Sequence, residues 1–189
     1  IMSKILIFNS IINLFKTYKK VVIVSHVNPD GDAIGSSLAL YLYLKRLGSD
    51  VHVIVPNDYP SFLSWMPYIQ DVLIYDKNVD EANKIMSEAE LFCYLDFNTQ
   101  SRTGVMHNDL CRYNSTPKIL IDHHIGADTS QFVACFSETE ISSTSEMVAE
   151  FIKYQGFDNY LDDNIATNII VGMITDTGTF SHSIFKNTF

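Results

Sequence analysis

Short apolar runs alternate with stretches of helical spacing along most of this chain, and few architectures satisfy that pattern. Residues 21–24, 51–55, 72–75, 91–95, 118–121 and 132–136 read as strands. Helical patterns cover residues 33–47, 80–89, 105–112, 143–155 and 162–174. Gly48 is a stop for the first of these, and Asp80 is a candidate N-cap for the second. Ahead of them, Ile5, Phe8, Ile12 and Phe15 share one face of an amphipathic helix. Parallel strands need crossovers of a dozen or more residues, and helices supply them. The pattern therefore predicts an α/β fold: three layers, α/β/α, with a mostly parallel sheet of about five strands flanked by helices.

One core of this kind suits 189 residues, 47% of them hydrophobic. No repeat, low-complexity stretch or linker divides the chain, so residues 1–189 read as one domain. A formal net charge of −9 leaves no basic face for long duplex nucleic acid. The apolar run at residues 5–8 is shorter than the roughly 7–15 residues of a signal-peptide core. No stretch approaches the roughly 18 residues of a membrane span, so no membrane partner is expected. Cys93, Cys111 and Cys135 are odd in number and widely spaced, as free thiols in a reducing cytoplasm would be.

The chemistry-bearing residues are not scattered. The stretch Ser25-His26-Val27-Asn28-Pro29-Asp30-Gly31-Asp32 lies where a buried strand ends and a helix begins. Asp96 follows the strand at 91–95, and Asp122-His123-His124 follows the strand at 118–121. Asp176 lies beyond the last helix. In an open parallel sheet all strand carboxyl ends share one edge, where ligands bind. Residues far apart in sequence could therefore converge there. Each also has a structural role open to it: Asp32 could cap its helix, Asp96 a turn, and His123 and His124 could point to opposite faces of a strand. A carboxylate-rich set with few imidazoles suits Mn²⁺ or Mg²⁺, and these donors suffice for two ions.

Four segments carry a resemblance: Ser-His-Val-Asn-Pro-Asp-Gly-Asp-Ala-Ile-Gly-Ser, Leu-Asp-Phe-Asn-Thr-Gln-Ser-Arg-Thr-Gly, Ile-Asp-His-His-Ile and Gly-Met-Ile-Thr-Asp-Thr-Gly-Thr-Phe. In this order, over residues 21–180, they resemble the four motifs of the DHH phosphoesterase family. The first is closest to the bifunctional oligoribonuclease and 3′-phosphoadenosine-5′-phosphate phosphatase subfamily. The resemblance implies two divalent ions, Mn²⁺ first, with Mg²⁺ or Co²⁺ as alternatives. His26 and Asp30 would bind one ion. Asp32, His123 and Asp176 would bind the other, with Asp96 bridging. His124 would face the substrate phosphate and Asp122 would orient an imidazole. Arg102 could neutralise phosphate charge, with an ordinary surface arginine as the alternative. Ser36 is a weaker candidate for phosphate contact, with packing its simpler role.

The implied enzyme is a hydrolase in which a metal-activated hydroxide attacks phosphorus. Its substrates would be short oligonucleotides or a small nucleotide such as 3′-phosphoadenosine 5′-phosphate. The alternatives are an inorganic pyrophosphatase or exopolyphosphatase, a cyclic-dinucleotide phosphodiesterase, and a non-catalytic nucleotide-binding module. Loss of a ligand would mark the last of these, and none is lost. The resemblance leaves room for a homodimer. Members of this subfamily usually continue into a smaller C-terminal substrate-binding domain, which the sequence to Phe189 does not include.

Overall fold

The computed structural model describes residues 3–156 and 160–182. Six strands form one sheet in the order β3-β2-β1-β4-β5-β6, and every neighbouring pair is parallel. They are β1 Lys20–Val24, β2 Asp50–Val55, β3 Val72–Ile74, β4 Leu91–Leu95, β5 Lys118–Asp122 and β6 Ala134–Ser137. The sheet has six strands rather than five because both short edge segments pair fully: Val53–Val55 with Val72–Ile74, and Ile119–Asp122 with Ala134–Ser137. From β1 the chain builds outward to β2 and β3, then returns across to β4 on the other side. The order thus reverses between β1 and β4, and the crevice outside their carboxyl ends is where ligands of such sheets bind.

Strand side chains alternate between two apolar layers. Val21, Ile23, Cys93, Leu95, Ile119 and Ile121 face one, while Val22, Val24, Phe92, Tyr94 and Leu120 face the other. The first layer holds α1 Lys4–Thr17, α2 Gly31–Arg46, α5 Thr144–Tyr154 and α6 Asp163–Asp176. The second holds α3 Val79–Glu88 and the segment around α4 His107–Leu110. Helix α2 is buried at every residue from Gly31 to Leu44, packed between the sheet and α5 and α6. That explains why residues 38–44 are apolar on every face rather than striped.

Some local expectations shift. In α1 the buried stripe is Phe8, Ile11, Ile12 and Phe15, while Ile5 is exposed. Phe8 sits edge-on to Phe136 of β6 at 4.9 Å and to Phe151 of α5 at 5.5 Å. Contacts of this geometry add about 0.5–1.5 kcal/mol each beyond burial. Helix α3 starts at Val79 with Asn78 at its N-cap, and Asp80 falls in the first turn, where a carboxylate favours the helix dipole. The helix expected over residues 105–112 is mostly 3₁₀: Gln100–Met106, then the single turn of α4, then Cys111–Tyr113. Gly104, at φ 55° and ψ −122°, breaks the run. All three cysteines are free thiols. Among the described residues no helix is long and apolar enough to cross a membrane.

Candidate metal centre

Three adjacent strands deliver the site. His26 lies just past β1, Asp96 just past β4, and Asp122 is the last residue of β5. Pro29 precedes the start of α2, whose N-cap is Asp30: its Oδ1 accepts from the backbone N–H of Asp32 at 3.0 Å and of Ala33 at 3.1 Å. The capping role therefore falls to Asp30, and Asp32 is freed to point across the first turn toward α5. There its Oδ2 accepts from the Thr144 N–H at 2.7 Å and its Oδ1 from the Ser145 N–H at 2.8 Å.

Asp176 is brought in by close helix packing. A Cβ on Gly35 would lie 2.4 Å from the Asn168 carbonyl oxygen of α6. A Cβ on Gly172 would lie 1.9 Å from Ser145 Oγ and 2.9 Å from Asp32 Oδ1. The missing side chains let α2, α5 and α6 meet, so that Asp176, the last residue of α6, reaches the cleft.

Donor atoms then fall into three groups, each within 4.8 Å: His26, Asp30 and Asp96; Asp32, His123 and Asp176; Asp96, His123 and His124. Asp96 Oδ2 lies 3.3 Å from His26 Nε2, while its Oδ1 lies 3.6 Å from His123 Nε2. His123 Nε2 is also 3.6 Å from Asp176 Oδ2 and 4.0 Å from Asp32 Oδ2. The backbone of Asp96 is left-handed, at φ 66°. A non-glycine residue held there costs about 1–3 kcal/mol, and such strain clusters at functional sites.

The imidazoles are oriented from behind. His26 Nδ1 donates to the Val27 carbonyl at 2.9 Å, and His123 Nδ1 to the Ile141 carbonyl at 3.3 Å. Both rings therefore turn Nε2 to the carboxylates, the arrangement found where histidine binds a metal. His124 is held the other way: its Nδ1 donates to Asp122 Oδ1 at 2.7 Å. His123 and His124 do not point to opposite faces. The strand ends at Asp122, the chain turns, and the two rings meet at 4.6 Å in one cleft.

The electrostatics fit a cation. Burial, reinforced by the neighbouring Asp96 charge, pushes the Asp32 carboxyl well above its ordinary range. Burial raises Asp176 as well, with Asp96 and Asp30 adding to it against the pull of His123. For His26, burial lowers the pKa, but the hydrogen bond and charge of Asp96 outweigh it and the net shift is upward. His124 is raised by its hydrogen bond to Asp122. Crowded anions that hold protons so readily are short of positive charge.

The remaining candidates separate. Arg102 packs its segment on the first loop, its carbonyl accepting from the Val27 N–H at 2.7 Å. Its guanidinium has no hydrogen-bond or ion-pair partner among the described residues, yet its charge is felt at His124. Ser36 is fully buried and donates back to the Asp32 carbonyl at 2.7 Å, so its hydroxyl is committed to the helix rather than to a ligand. Thr144 escaped sequence reasoning. Its signal was the run Ser142-Ser143-Thr144-Ser145-Glu146, with more hydroxyls than one helix cap needs.

Over 169 residues the chain is 34% identical to the bifunctional oligoribonuclease and PAP phosphatase NrnA of Thermus thermophilus, covering 89% of this chain and 45% of that protein. It is 26% identical over 180 residues to the cyclic-di-AMP phosphodiesterase GdpP of Bacillus subtilis, covering 89% of this chain and 26% of that one. The crystal structure of an exopolyphosphatase-related protein from Bacteroides fragilis superposes with a TM-score of 0.88 at 40% identity, over 96% of this chain and 54% of that one. The chain thus spans about half or less of the length of these relatives. Residues 20–173 match the model of the DHH family, N-terminal domain, and the chain belongs to that family.

Proposed function

We propose that this chain forms the catalytic domain of a metal-dependent phosphoesterase acting on short oligonucleotides or on small nucleotides such as 3′-phosphoadenosine 5′-phosphate. The observation that carries the reading is Asp96, whose two oxygens face two different donor groups. His26 and Asp30 would hold one cation, Asp32, His123 and Asp176 the other, with Asp96 shared. The donor set, oxygen-rich with two imidazoles, suits Mn²⁺ before Zn²⁺. Bound there, two divalent cations would acidify a water and offset phosphate charge.

The chain's own residues have separate tasks. Asp122 is fully buried and its Oδ2 has no hydrogen-bond partner among the described residues, so its charge is spent on the Nδ1 proton of His124. That fixes the His124 tautomer and leaves Nε2 to meet substrate. His124 is the most exposed of the imidazoles in the cleft, as a substrate-facing group must be. Arg102, free of carboxylate partners among the described residues and close enough to act on His124, would add positive charge for a phosphate oxygen.

The nucleotide substrate class is supported by the NrnA relative, while the exopolyphosphatase-related structure favours inorganic phosphoanhydrides as the second reading. The test is a hydrolysis panel on the full natural protein, with and without Mn²⁺: a dinucleotide, 3′-phosphoadenosine 5′-phosphate, pyrophosphate and a cyclic dinucleotide. Mn²⁺-dependent cleavage of the first two is expected. Cleavage of pyrophosphate alone would transfer the assignment to the second reading, and no cleavage of any would leave a binding module.

A further inference from the structure

The N-terminus of α5 touches two of the carboxylates at once. Ser142, Ser143, Thr144 and Ser145 are all fully buried. Ser143 Oγ caps the helix by accepting from the Glu146 N–H at 3.1 Å. Glu146 in turn reaches back to accept from the Ser142 backbone N–H at 3.1 Å and from its hydroxyl. These reciprocal bonds make the helix end rigid. From it the Thr144 N–H donates to Asp32 Oδ2 at 2.7 Å, and the Thr144 hydroxyl donates to Asp96 Oδ1 at 3.0 Å. The direction of the second bond follows from chemistry, since an ionised carboxylate has no proton to give.

Asp32 and Asp96 lie in different donor groups, one with His123 and Asp176, the other with His26 and Asp30. One residue therefore holds one group by its main chain and the other by its side chain. We propose that Thr144 is a positioning residue of the dinuclear centre: its hydroxyl sets the rotation of the Asp96 carboxylate, and with it the spacing of the two cations. The proposal rests on the two-cation reading above. Its physical basis is that the terminal torsion of an aspartate is broad and soft. An unanchored Asp96 could turn both oxygens toward one cation. A single hydroxyl on Oδ1 leaves Oδ2 committed to the His26 side and one lone pair of Oδ1 open toward His123. Helix α6 closes the arrangement from behind, because Gly172 backs directly onto Ser145 and Asp32.

The main-chain bond to Asp32 survives any substitution of Thr144 other than proline, so the hydroxyl can be tested alone. In the full-length protein, Thr144→Val keeps shape and removes the donor, while Thr144→Ser keeps the donor and removes the methyl. Calorimetric titration with Mn²⁺ alone is the readout, with the metal-free melting temperature of each variant as a check on folding. Expected is a wild-type isotherm of two sites, one of them weakened about 10–100-fold in Thr144→Val, as partners of metal ligands typically show, and restored in Thr144→Ser. An unchanged isotherm in Thr144→Val would overturn the positioning role while leaving the two-cation reading intact. Equal weakening in Thr144→Ser would assign the effect to methyl packing and overturn it too. A wild-type protein that binds no Mn²⁺ would overturn both.

Discussion

Asp96 meets His26 at 3.3 Å across the point where the strand order reverses, with the Asp96 backbone in the left-handed region. The other Asp96 oxygen faces His123, so this carboxylate serves both donor groups, whereas Asp30 and Asp176 each serve one. On the proposed two-cation reading, Asp96→Asn keeps the shape and removes the shared anion, which would leave two dications with less charge between them. Repulsion between close like charges is large even at an effective dielectric of about 20. Asp96→Asn should therefore lose one Mn²⁺ site by more than about tenfold in affinity. Asp30→Asn and Asp176→Asn should lose less and recover at high Mn²⁺. Calorimetry on the three variants decides it, and two sites of undiminished affinity in Asp96→Asn would place the bridge elsewhere.

Gly172→Ala pits helix propensity against packing. In a helix interior, alanine is favoured over glycine by about 0.8–1.0 kcal/mol. Here the added Cβ would meet Ser145 Oγ at 1.9 Å and Asp32 Oδ1 at 2.9 Å. Packing should win, with a net loss of about 1–3 kcal/mol in urea unfolding and weaker Mn²⁺ binding. Gly48→Ala is the control. Its φ of 78° makes it strained, but nothing lies within 4 Å, so it should lose stability without touching Mn²⁺ binding.

Metal removal should give the protein an unusual pH response. Asp32, Asp176, His26 and His124 all have folded pKa values raised above their ordinary ones. A raised group contributes stability that is complete below its unfolded pKa and is lost as pH rises through its folded value. All four carry the same sign. Through these four groups the EDTA-treated protein should lose stability as pH rises through the carboxylate values and then past 6.5, the ordinary histidine value, while carboxylates elsewhere that are held below their ordinary range, such as Asp109, act alike with and without metal. Saturating Mn²⁺ should reverse the trend, because binding displaces these protons. Melting temperatures across that range with EDTA and with Mn²⁺ test this, and parallel curves would contradict it.

Asp109 predicts the opposite sign on the far side of the sheet. It accepts from the Tyr75 hydroxyl and, at 2.7 Å, from Asn83 Nδ2, tying the α4 segment to α3. The Tyr75 hydrogen bond leads in lowering its pKa below 3.8. Its contribution is complete above that value and lost as pH falls through the lower folded one. Asp109→Asn should therefore be less stable than wild type in urea at neutral pH, with the gap closing in strong acid. A gap of undiminished size there would mean that the charge of Asp109 contributes nothing.

Arg102→Ala should raise KM for a phosphorylated substrate about 10–100-fold and leave Mn²⁺ affinity unchanged, since a hydrogen bond to a charged group is worth about 1.5–3 kcal/mol. Steady-state kinetics beside calorimetry separate the two. A fall in Mn²⁺ affinity would show that Arg102 acts on the metal centre instead.

The sequence determined the layers, the parallel sheet and the edge on which acids and imidazoles gather. Those follow from local periodicity and from the rule that parallel strands share one carboxyl edge. His26, Asp96 and Asp122 were legible as site candidates because each ends a strand. What only the tertiary structure decided are relations between elements with no shared local signal. Asp30 rather than Asp32 caps α2, because the rigid end of α5 offers Asp32 two better donors. His123 and His124 face one cleft because the strand stops before them. The hydroxyl of Thr144 meets Asp96 only when α5 is seated over the end of β4, and a serine-threonine run read alone is just a helix cap. Local chemistry selects which residues can hold a charge, and the packing of α2, α5 and α6 decides which of them hold it together.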